Sequence, residues 1–134
     1  MTIFKIRLAT FFILLLAPIL IHGQDRFTMA LTGDSIITRK MSVYQEPQFL
    51  KMIELIRGAD VGFTNIEMLF HDYESFPMAS SGGTYMRAQP ELAKELAWAG
   101  FDLGSLANNH TGDYGTKGML LTQKYFDSLV QNLH

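Results

Sequence analysis

Cysteine is absent from the 134 residues. That excludes disulfides, thiolate nucleophiles, cysteine-ligated zinc and iron–sulfur clusters. A basic excess is missing too: 11 Lys and Arg stand against 13 Asp and Glu, a formal charge of −2. With no basic stripe, nucleic-acid binding by phosphate neutralisation has no support. The phosphate-cradling patterns Gly-x-Gly-x-x-Gly and Gly-x-x-x-x-Gly-Lys-Ser/Thr do not occur, which argues against a nucleotide-binding βαβ protein. Low-complexity tracts and sequence repeats are lacking as well. Apolar residues are abundant at 48 %, enough for a packed core, so global disorder is excluded.

Part of that apolar content is concentrated at the start. Lys5 and Arg7 precede a run from Leu8 to Ile21, interrupted only by Thr10 and Pro18 and closed by His22-Gly23-Gln24. A positive segment, a short apolar stretch and small or polar residues are the layout of a secretory signal. The run is short for a spanning helix, which needs roughly 20 apolar residues. Residues 1–23 are therefore expected to be a signal peptide, and residues 24–134 an exported, periplasmic or cell-surface domain. That domain carries 9 basic and 13 acidic residues, a formal charge of −4.

The remainder alternates strand and helix. Arg26–Thr32, Asp60–Ile66 and Phe101–Ala107 are predicted strands. Pro47–Arg57 has apolar residues on a wide helical face and stops at Gly58. Pro90–Ala99 opens on proline and stops at Gly100, and Thr116–Leu133 is a third predicted helix. A long loop with Ser80-Ser81-Gly82-Gly83 separates the second strand from the second helix. This β-α-β-α-β-α order predicts an α/β fold with a parallel sheet and right-handed crossovers. With no closing strand, one sheet edge would stay open, so the chain is expected to be the N-terminal part of a larger unit.

Ligands of parallel sheets bind beyond the carboxyl ends of the strands. The three predicted strands are followed by Thr32-Gly33-Asp34-Ser35, by Asn65-Ile66-Glu67, and by Asn108-Asn109-His110 with Asp113-Tyr114-Gly115. Each cluster has an ordinary alternative: a turn, solvent-facing polar residues, a left-handed Asn pair, a hydrogen-bonded loop histidine. Their joint occurrence at three strand ends favours a site, and Asp34, Glu67 and His110 are expected to converge. Carboxylates and amides suit Mg²⁺ or Mn²⁺, and an imidazole extends the choice to Zn²⁺ or Fe. Asn65 and Arg87 are candidate substrate-binding residues. For Arg87 the reason is the guanidinium fork, which clamps phosphate or carboxylate; the alternative is a surface arginine near a helix start.

The stretch from Phe101 to Gly115 (FDLGSLANNHTGDYG) closely resembles a block of the bacterial CapA family of capsule or poly-γ-glutamate synthesis proteins. Gly33-Asp34, Ala59-Asp60 with Asn65-Ile66-Glu67, and Tyr85-Met86-Arg87-Ala88-Gln89-Pro90-Glu91 resemble further motifs of that family in the same order, over about Met29 to Asp127. The resemblance implies a calcineurin-like metallophosphoesterase fold, a layered α/β sandwich. It also implies Asp34, Glu67 and Asn109 as metal ligands and His110 as the catalytic proton donor. Two departures stand out: Ile36 occupies the place of a usual histidine, and Thr111 that of a usual acid. The later histidine motifs have no counterpart, so the chain alone is not expected to be a two-metal hydrolase. The implied role is synthesis, export or anchoring of a surface polymer, working on that polymer or its precursor beside other capsule-synthesis membrane proteins. It would be either a metal-dependent hydrolase or a non-catalytic polymer-handling module. A third reading is that the piece does not fold stably.

Overall fold

A computed structural model describes residues 26–81 and 83–131. The leader expected over residues 1–23 lies outside the described residues, as does the end of the last predicted helix. Among the described residues no helix is long and apolar enough to cross a membrane.

Three parallel strands form the sheet: β1 (Met29–Asp34), β2 (Val61–Asn65) and β5 (Leu103–Ser105), in the order β1-β2-β5. Met29 pairs with Val61 and Asp34 with Asn65, across an irregularity between Leu31 and Asp34. Phe63 pairs with Leu103 and Asn65 with Ser105. The mixed, parallel α/β organisation is thus as the alternation of elements predicts. β1 runs two residues further than its β-forming composition suggested, carrying Asp34 into the ladder itself.

Local chemistry sets the ends of these elements. Asp60 accepts bonds from the Thr28 amide and hydroxyl, both at 2.7 Å, tying the start of β1 to that of β2. Pro47 occupies the first turn of α1 (Pro47–Arg57), where a missing N–H costs nothing, and the Gly58 amide bonds Glu54 O at the other end. Only Ile53 and Ile56 of α1 are buried; Met52 and Leu55 are exposed, so its packed face is narrower than the apolar pattern suggested. Pro90–Leu92 is a single 3₁₀ turn rather than α-helix, leading into α2 (Ala93–Ala99), which ends at Gly100 with φ 98°. A side chain on Gly62 would stand 2.4 Å from Gly100 O, so β2 and the α2 terminus touch backbone to backbone.

The expected long loop contains two short strands, β3 (Leu69–Phe70) and β4 (Arg87–Ala88), paired in parallel. Two-residue strands have no periodicity to detect. Burial holds them: Leu69 and Phe70 are 1 % and 0 % exposed. The last helix, α3 (Gly115–Gln131), packs on β3. Its Thr122 hydroxyl accepts the Phe70 amide at 2.8 Å and donates to Gly118 O at 2.9 Å. The Phe126 ring meets Phe70 edge-on at 5.3 Å. Ile37, Ile66, Met68, Phe70, Leu92 and Leu96 are the larger members of the core.

Candidate active site at the carboxyl ends of the strands

Asp34 closes β1, Asn65 closes β2, and Ser105 closes β5. Because the strands are parallel and in register at these residues, the segments that follow leave the sheet side by side. The Ser35 amide bonds Asn65 O and the Ile66 amide bonds Ser105 O, each at 2.8 Å, so the ladder extends into the rim.

Asn65 is the hub. Its Nδ2 donates to Asp34 Oδ1 at 2.8 Å and to Glu67 Oε2 at 2.5 Å. Its Oδ1 accepts from Asn108 Nδ2 at 3.2 Å. That bond fixes which end of the Asn65 amide faces the carboxylates. Asn108 is itself locked: Nδ2 also donates to Ile66 O at 2.9 Å, and Oδ1 accepts the His110 amide at 3.0 Å. Thr111, where the family resemblance places an acid, closes this loop instead. Its hydroxyl donates to Leu106 O and accepts the Asn108 amide at 3.2 Å.

His110 is 6 % exposed, and its two ring nitrogens face opposite partners. Nδ1 lies 2.9 Å from Asp113 Oδ2, and Nε2 lies 3.8 Å from Glu67 Oε1. An ionised carboxylate only accepts, so in this pair Nδ1 carries the proton. Nε2 is then the unprotonated nitrogen, beside Glu67 but beyond direct hydrogen-bond range of it. Asp113 has no exposure at all; its Oδ2 also accepts the Met86 amide at 2.8 Å. A base oriented by a buried carboxylate is the arrangement that holds one tautomer in place for proton transfer.

The expected convergence of Asp34, Glu67 and His110 is present, carried by Asn65. Asp34 is exposed and Glu67 is 8 % exposed. Of the Asn pair, Asn108 is the one that reaches Asn65, while Asn109 is exposed. Adjacent residues of a turn give no sequence signal for which side chain enters. Asp113 belongs to the polar cluster that follows the third strand, and its three-residue spacing from His110 brings the two together in a tight turn. Arg87 does not join the network. Its Nη1 donates to His71 O, Asp72 Oδ1 lies 4.0 Å away, and its Cζ stands 3.6 Å over the Tyr73 ring.

The metal expectation meets a specific obstacle. Between Asp34 and Glu67 stands the Asn65 NH₂, a neutral donor placed where a cation would sit. Among the described residues no three of His, Asp and Glu gather as a metal-holding group. As arranged, with the Asn65 NH₂ bonded to both carboxylates, these residues do not fit a resident divalent ion.

The family described as bacterial capsule synthesis protein PGA_cap matches residues 28–130. An uncharacterised protein, y4sH, of Sinorhizobium fredii is 41 % identical over 106 residues, covering 77 % of this chain and 23 % of its own length. A second uncharacterised protein of that organism, y4uA, matches to the same extent. Capsule biosynthesis protein CapA of Bacillus anthracis is 28 % identical over 117 residues, covering 82 % of this chain and 28 % of its own length. The chain thus spans about a quarter of the length of these relatives. With the Phe101–Gly115 block folded into the rim that carries His110, and the match running over nearly all the described residues, the chain belongs to the CapA family of bacterial capsule synthesis proteins.

Proposed function

We propose that the chain acts outside the cytoplasm in making, exporting or anchoring a capsule-type surface polymer, and that its rim is a proton-transfer site for that polymer or its precursor. The observation that supports this most is the Asp113–His110–Glu67 line, with Nδ1 held at 2.9 Å and Nε2 turned to a second carboxylate at 3.8 Å. In a hydrolytic step His110 supplies or removes a proton at Nε2, and Asp113 holds the ring and stabilises its charged form. Glu67, kept in place by Asn65, orients the reacting group. A metallophosphoesterase-like sandwich is the architecture into which these three strands would extend. For the Mn, Mg, Zn or Fe ion that the family resemblance implies, Asp34 and Glu67 are the two carboxylates bonded to Asn65, and no step is routed through it.

The test is complementation. Deleting the gene should reduce surface polymer, and the wild-type chain should restore it. His110→Ala and Glu67→Gln, with thermal midpoints near wild type, should not. Restoration by both variants would instead favour a polymer-handling module with no chemistry of its own.

A further inference from the structure

His71 follows β3 and is fully buried, with 0 % exposure. Neither ring nitrogen makes a hydrogen bond among the described residues. Its ring lies edge-on to Tyr114 at 4.5 Å, and a side chain on Gly118 of α3 would come within 3.7 Å of Nε2. The nearest anion, Glu74 Oε2, is 4.0 Å from Nδ1, outside hydrogen-bond range. Arg87 of β4 donates to the His71 carbonyl and sets a positive charge beside it. Asp72 and Tyr73 complete its own segment, and Tyr125 of α3 reaches it only through Glu74, whose carboxylate it binds at 2.7 Å.

This neutral, unpartnered imidazole roots a segment that grips the site. Ser75 Oγ donates to Tyr114 O at 2.8 Å, and the Met78 amide donates to Asp113 O at 2.9 Å. Asp113 in turn holds His110. The segment also stores strain, since Tyr73 has φ 59° without being glycine. Charging the buried ring where it stands would place an imidazolium beside Arg87 with no bonded anion. Burial, then Arg87, hold its titration below the ordinary histidine range, while Glu74 and Asp72 oppose this only partly.

We propose that His71–Met78 is an acid-released clamp on the site, with His71 as its trigger: protonation drives the ring toward water and frees Asp113 from its grip. This rests on the reading of Asp113 and His110 as the working pair, but its readout does not use activity. Amide hydrogen exchange at Met78 and Met86 is measured by NMR between pH 7.5 and 5, corrected for intrinsic rates, alongside the titration of the His71 ring. Exchange should rise by about tenfold per pH unit once the opened form binds the proton and the closed form does not. His71→Gln should abolish that rise. Glu74→Gln, which keeps an acceptor for Tyr125 and removes the nearest anion, should let the rise continue to lower pH before it levels, and this serves where His71→Gln does not fold. A flat exchange profile in the wild type, a rise that persists in His71→Gln, or a rise that levels at higher pH in Glu74→Gln would each overturn the clamp. Failure of the site reading itself would show separately, as full complementation by His110→Ala.

Discussion

At the scale of single residues, Asp113 carries two loads on one oxygen. Its Oδ2 holds the His110 ring at 2.9 Å and the Met86 amide at 2.8 Å, with no access to water. Asp113→Ala should therefore strand two donors and lower stability by about 1–3 kcal/mol per buried unpaired group. It should also release the tautomer. Nitrogen NMR of the imidazole should show His110 protonated on Nδ1 in the wild type and a mixture in the variant; an unchanged tautomer would remove Asp113 from the mechanism. His110→Ala separates the roles differently: loss of a general acid or base costs on the order of 10² to 10⁴ in rate, with little change in thermal midpoint. His110, Asp34, Glu67 and Asn65 were legible in the sequence because each ends or follows a predicted strand, and parallel strands bring such ends together. Asn108 and the second duty of Asp113 were not, because both depend on where a turn aims its side chains. Arg87, readable in sequence as a substrate clamp or as a surface arginine, is engaged by the His71 carbonyl and the Tyr73 ring of the long loop.

At the scale of elements, two contacts decide how the rim is held. Gly62→Ala would drive a methyl group to 2.4 Å from the Gly100 carbonyl, and backbone cannot yield as a side chain does. Denaturant unfolding should show a loss of about 1–3 kcal/mol, typical of overpacking. Thr122→Val removes the hydroxyl that accepts the buried Phe70 amide at 2.8 Å. It should cost about 1–3 kcal/mol for the unsatisfied donor, even though valine matches the shape. The sheet order follows from alternation and hydrophobic content. The β3–β4 pair does not, since its stability comes from Leu69 and Phe70 meeting α3, an element about fifty residues away. The narrower face of α1 has the same origin: a pattern shows which residues are apolar, and the neighbours decide how many of them are covered.

At the scale of the whole molecule, the titrating groups have a definite sign. The folded state holds His71 below the ordinary histidine range, chiefly through burial. The unfolded chain therefore binds the proton first, and stability should be complete above about pH 6.5 and fall as pH drops below it. Thermal midpoints from pH 8 to pH 5 check this, and His71→Gln should flatten the fall. Asp60 acts in a lower range: bonds from Thr28 hold its carboxyl below the usual value, so its contribution is lost only as pH falls through the carboxylate range. Calorimetric titration with Mn²⁺ or Zn²⁺ should give no stoichiometric binding; a one-to-one isotherm lost in Asp34→Asn would show that the Asn65 amide gives way to a cation. On β1, an edge strand among the described residues, Leu31 is 71 % exposed, and Phe27 just before the strand is 69 % exposed. Leu31→Lys should reduce concentration-dependent association in sedimentation, as charges do on open edges.

The parallel ladders also set a timetable. Met29 pairs with Val61 and Phe63 with Leu103, so β1 and β2 must each wait for a partner made some thirty to forty residues later. At about 5–20 residues per second of synthesis, β1 exists for several seconds before β2 emerges, and the polar rim cannot assemble until β5 has followed. Contacts this distant in sequence also slow folding once the chain is complete. The rim can therefore come together only after the chain has been made through Asp113, whose side chain holds His110.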